Sequence, residues 1–181
     1  MNARYFATAA ALVIALTLTA AAETTRRSKK QEPAAAPTPA DKRDRVVSAP
    51  GTPFHGRAYW QATAQCGGIY FKLGTVYSDA AVKAKVVKPD PPAYAQLTRE
   101  ADGASRTATA FFEAAERFLI ADRKLARDEA VMTYDVVATT NGDRVKTTEA
   151  AVLAAKPCPE LYKTCRGAFP QVCNDTTALT N

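Results

Sequence analysis

"YAQLTREADGASRTATAFFEAAERFLIADRKL", residues 94–125, decides the fold. Tyr94, Leu97, Ala101, Ala104, Ala108, Phe111, Ala115, Phe118, Asp122 and Leu125 recur at alternating steps of three and four. That spacing puts them on one stripe of an α-helix, while strand pairing would need a period of two. A stripe this long is a seam that has to be buried against another helix. The partner lies just upstream. Tyr59, Ala62, Cys66, Ile69, Leu73, Val76 and Ala80 repeat the same steps. Between the two helices, "KPDPPAY" breaks the chain: proline cannot continue a helix, and Asp90 can cap the next one. So short a connection makes the two helices antiparallel neighbours.

Both seams are rich in alanine, with Gly67, Gly68 and Gly103 close by. Glycine inside a helix costs on the order of 1 kcal/mol relative to alanine. "CGG" at 66–68 therefore calls for a close helix crossing, a disulfide at that level, or a kink. Phe111, Phe112, Phe118 and Leu119 are expected to fill the space that small residues leave.

Downstream of Arg127 two readings are open. Val131, Tyr134, Val137 and Ala138 fit a helix, "TNGD" then reads as a turn, and Val145, Thr148, Val152 and Leu153 fit another helix. Alternatively "TYDVVATT" and "DRVKTT" are β-rich runs flanking Asn141-Gly142, a hairpin signature that would make the fold α+β. The helical reading is preferred because "TTEAAVLAAK" is built from strong helix formers. "PELYKTC" follows as a short helix with Pro159 in its first turn. The expected fold is thus all-α: a small antiparallel bundle of two long and two or three shorter helices, with a loose tail over 174–181.

Four cysteines are present: Cys66, Cys158, Cys165 and Cys173. No CxxC pair occurs, so the spacing of redox dithiols, of structural zinc and of haem attachment is missing. Two structural disulfides are the expected use. Cys158 and Cys165 are seven residues apart, about 10 Å along one helix, too far to bridge. An up-down layout returns the end of the fourth helix towards the level of Cys66. This favours Cys66–Cys158 with Cys165–Cys173, ahead of Cys66–Cys165 with Cys158–Cys173.

The N-terminus reads as a secretory signal over 1–22: Arg4, an uncharged apolar run, then Ala20-Ala21-Ala22 before Glu23. Residues 23–53 mix charge with "PAAAPTPA" and few large apolar side chains, the composition of a disordered tether. The helical domain is expected over 54–173. The chain carries +6. The tether holds seven bases against four acids, whereas residues 54–181 hold sixteen against fourteen. The basic character therefore belongs mostly to the tether, which could touch anionic lipid or wall polymer. Nucleic acid is not an expected partner of an exported chain. Disulfides and a leader together point to the periplasm or the extracellular space.

Candidate chemistry is sparse. No phosphate loop, dinucleotide fingerprint or di-iron pattern occurs, and the single His55 has no triad around it. No catalytic residue, metal or cofactor is expected. Glu113 and Arg117 form an i, i+4 pair. Asp122 sits on the seam near a helix end, where exposure is expected; buried, it would need Arg57 or Arg123. Tyr59, Trp60, Tyr70, Phe71 and Tyr77 form an aromatic band on the first helix, in the main core material. Trp60, Phe71 and Tyr77 are the candidates for partner binding should they face outward. The functional expectation is an exported binding or structural protein of the cell envelope. Two alternatives stand beside it: a thiol-redox accessory or other enzyme using Cys165 or Cys173, and a small-ligand carrier with a pocket among the aromatics of the first two helices.

Overall fold

A computed structural model describes residues 41–173 apart from Lys88. Among the described residues five helices follow in order: α1 Tyr59–Val86, α2 Pro91–Arg123, α3 Arg127–Arg144, α4 Thr148–Ala155 and α5 Cys158–Ala168. The fold is an all-α bundle, as the seams require. The signal region, residues 23–40 of the tether and the tail 174–181 lie outside the described residues.

The two long helices form the frame. Asp90 caps α2 by accepting from the Ala93 N–H at 3.0 Å, and prolines occupy the first helical positions. Lys124 adopts a left-handed conformation, φ 59°, and ends the helix. Ala104, Ala108, Phe111, Ala115 and Phe118 of the seam are buried against α1. Small residues set the approach. A Cβ on Gly74 would sit 2.9 Å from Ser105 Oγ on α2. One on Gly67 would collide with the Phe112 ring, and one on Gly68 with the Ala138 carbonyl on α3. "CGG" thus serves two close approaches at once, one to α2 and one to α3, with no helix break at that level.

The hairpin reading around Asn141-Gly142 does not occur, and neither does the expected turn at "TNGD". α3 runs through both residues to Arg144. Asn141 folds its side-chain amide back onto the Val137 carbonyl at 2.7 Å. Gly142 packs against the Gly68 backbone, where a Cβ would lie 2.9 Å from the Gly68 oxygen. Ala138 and Gly142 make the side of α3 that touches α1 small. That contact holds residues in a helix that isolated propensity would place in a turn. Glu129 reaches back to the Ala126 N–H at 3.2 Å and, with Asp128, puts negative charge in the first turn. Thr147 then caps α4 through the Ala150 N–H.

The expected tether boundary at residue 53 does not hold for its last residues. Residues 41–53, assigned to the tether, form a strap against the helices. Val47 and Phe54 are each 1% exposed. The Val47 N–H donates to the Arg57 carbonyl at 2.8 Å, and the Gly56 N–H to the Val47 carbonyl at 2.9 Å. Gly51 and Gly56, at φ 81° and 75°, make the turns. The strap also substitutes for a missing cap: Ala58 has no capping side chain, and the Tyr59 N–H donates to the Arg45 carbonyl at 2.9 Å.

Charge locks the strap down. The Asp44 side chain is fully buried and takes two bonds from Arg123, at 2.8 and 2.6 Å, plus one from the Trp60 indole N–H at 3.2 Å. Burial pushes the Asp44 carboxyl upward, but those donors and the Asp41 backbone outweigh it and hold it below the usual carboxylate range. Asp122 is not free. Its side chain is 8% exposed and accepts from the Arg45 backbone N–H at 3.0 Å and from Arg45 Nε at 2.8 Å. The partner is Arg45, whose guanidinium also stacks 4.6 Å above the Phe118 ring. Neither Arg57 nor Arg123 fills that role. Single-helix periodicity could not show this, because the strap supplies the partner from 77 residues away.

Candidate functional site

The cysteines come first because they fix a wall of the site. Cys66 is bonded to Cys158 with Cα atoms 5.8 Å apart, and Cys165 to Cys173 at 6.0 Å. No free cysteine remains and all four are completely buried. The long bridge ties the first residue of α5 to the N-terminal third of α1. The short one folds residues 169–173 back under α5, where the Phe169 ring packs edge-on against Tyr59 at 5.2 Å. Both bonds suit an oxidising compartment. Among the described residues no group of three or more His, Cys, Asp or Glu side chains could hold a metal ion.

Pinning α5 in this way leaves a groove of about 700 Å³ between α1, α2, α4 and α5. Three short faces meet there. Tyr70, Leu73 and Tyr77 come from α1 at steps of three and four; Glu100, Gly103, Ala104 and Thr107 come from α2 at the same steps; Pro159, Tyr162, Lys163 and Arg166 come from α5. The floor is apolar and braced. Tyr70 stacks on the buried Phe111 at 5.8 Å, and Tyr162 meets the same ring edge-on at 5.4 Å. Burial raises the Tyr70 phenol above its ordinary value. Burial also raises Tyr77, aided by the nearby Glu100 carboxylate, so both stay neutral near pH 7.

The rim is basic. Arg106, Lys156, Lys163 and Arg166 line it, against the single carboxylate of Glu100. Among the described residues Arg106, Lys156 and Arg166 make no ion pair. Lys163 meets only Glu160, at 3.9 Å with both side chains mostly exposed. Such a pair holds little energy and leaves the ammonium available.

A second, smaller cleft of about 320 Å³ lies between α1 and α3, lined by Phe71, Phe112, Thr139 and Asp143 among others. No family model, no curated protein and no solved structure matches this chain.

The three aromatic candidates for binding separate. Trp60 is 4% exposed, bonded to Asp44 and covered by the Arg123 guanidinium at 4.9 Å, so it presents no outer surface. Phe71 is 62% exposed and belongs to the smaller cleft. Tyr77 lines the main groove. Sequence reasoning missed the groove cations. A signal existed in each helix, such as Tyr162, Lys163 and Arg166 on one side of α5. Nothing in one helix says which other face it will meet.

Proposed function

We propose that this chain is an exported binding protein whose recognition surface is the groove between α1, α2, α4 and α5. One residue carries the reading. Gly103 stands mid-way along α2, lines the groove, and a Cβ there would meet nothing within 4 Å. Of the helical glycines, Gly67, Gly68, Gly74 and Gly142 have a packing reason, whereas Gly103 and Gly167 have none, and Gly167 lies in the last turn of α5, where a helix ends. A helix-interior glycine that costs on the order of 1 kcal/mol without packing return keeps space open. A pocket of several hundred Å³ with an apolar floor and a few polar groups at its edge is the usual form of a ligand site.

The thiol-redox alternative would need a reachable sulfur, and all four are paired and buried. The carrier alternative gains from the same groove, which lies among the aromatics of the two long helices. Binding of a neutral fluorescent naphthylamine dye tests the reading. The native protein is expected to bind it saturably, and Gly103→Phe, which fills the groove from an unobstructed position, is expected to lose it while keeping its helical circular dichroism. Equal binding by both proteins, or none by the native one, refutes the groove as the site.

A further inference from the structure

The groove's charge is local. Residues 54–181 are nearly balanced, with sixteen bases against fourteen acids, yet the groove gathers four bases around one acid. The cations come from separate elements: Arg106 from α2, Lys156 from the α4–α5 link, Lys163 and Arg166 from α5. Like charges converging on a concave, low-dielectric surface focus a positive potential into it. Beneath them lie Leu73, Ala104 and Ala155, all buried, and the braced rings of Tyr70 and Tyr162. A floor of that kind has no counterpart for a fully hydrated ion.

Taking the groove as the binding surface, we propose that its ligand is a small amphiphilic anion. A carboxylate, sulfate or phosphate head would sit at the basic rim, and an apolar or aromatic body would lie on the floor. Two other occupants fit worse by charge. Residues 23–40 of the chain itself carry Arg26, Arg27, Lys29 and Lys30 against Glu23 and Glu32, so they lack the net negative charge that a basic rim attracts. A second copy of the chain would bring the same four cations against these.

Competition against the neutral dye on the intact exported chain separates the parts of the proposal. Dodecanoate, dodecyl phosphate, dodecyltrimethylammonium and dodecyl maltoside are compared below their micelle concentrations, with inorganic phosphate as the head alone. Dodecanoate or dodecyl phosphate is expected to displace the dye at concentrations about tenfold or more below the cationic and neutral chains, an advantage that added salt reduces. The better of the two identifies the head. Lys163→Glu with Arg166→Glu, both at exposed positions, is expected to reverse that order, so that dodecyltrimethylammonium displaces the dye at lower concentrations than dodecanoate or dodecyl phosphate. Equal displacement by all head groups overturns the anion and leaves the groove as a site. Displacement by inorganic phosphate at concentrations matching dodecyl phosphate overturns the amphiphile. Failure of the dye to bind the native protein removes the groove reading and this proposal together.

Discussion

Gly68 of α1 and Gly142 of α3 meet backbone to backbone: a Cβ on Gly142 would lie 2.9 Å from the Gly68 carbonyl oxygen, and one on Gly68 would strike Ala138. The crossing depends on both residues lacking a side chain. Gly68→Ala is therefore expected to destabilise the protein by about 1–3 kcal/mol, the range for overpacking, despite alanine's better helix propensity. Urea unfolding followed by circular dichroism measures it. A stability gain would mean that α3 can retreat freely from α1.

Gly103→Ala should act in the opposite direction. With open space around its Cβ, alanine there brings helix propensity alone, a gain of about 0.5–1 kcal/mol. The same unfolding experiment checks it. Loss of stability would show an unseen packing role for this glycine and weaken the argument that it keeps the groove open.

The strap predicts an acid sensitivity. The Asp44 carboxyl is lowered in the folded state, so its contribution is present above the unfolded value near ~3.9 and is lost as pH falls through the folded value. Asp44→Asn is expected to cost about 3 kcal/mol at pH 7, because it leaves Arg123 largely buried without its anion. It should also flatten the loss of stability below about pH 4. Asp41, held low chiefly by Arg43, titrates in both proteins, so only the difference between them reports Asp44. Parallel stability curves for the two proteins would contradict this account.

The two disulfides should contribute unequally. Cys66–Cys158 spans 92 residues and Cys165–Cys173 spans 8. The chain-entropy model gives about 4–5 kcal/mol for the first and about 2.5 kcal/mol for the second. Paired alanine replacements of each bridge, compared by denaturant midpoint, test the order. A larger loss from the short bridge would point to folded-state packing around Phe169 as the dominant contribution.

The proposed export makes a covalent prediction. The intact mass of protein from the extracytoplasmic fraction should correspond to a chain beginning at Glu23, with no sulfur available to a thiol reagent. A mass that retains residues 1–22 argues for an uncleaved anchor, and a reactive thiol argues against the paired cysteines.

Much of this protein is local in its sequence. The three-and-four spacing of Tyr94 to Leu125, the Asp90 cap before two prolines and the small residues at 66–68 each act through their immediate neighbours. Periodicity and capping depend on backbone geometry that any helix shares. Those features were therefore enough for the two long antiparallel helices, for the need of a close approach at "CGG", and for the preferred cysteine pairing. Three things depended on contacts between distant segments. Asn141 and Gly142 are turn formers alone, but against Gly68 the same absence of bulk makes them a helix face. Residues 41–53 look disordered by composition, yet Asp44 and Arg45 find Arg123 and Asp122 some 80 residues on, and Val47 finds cover. The groove exists because the Cys66–Cys158 bridge lays one side of α5 beside sides of α1 and α2. Each side is legible singly as a helical stripe, but its meaning comes from the others, and their meeting is set by burial and cross-linking over the whole chain.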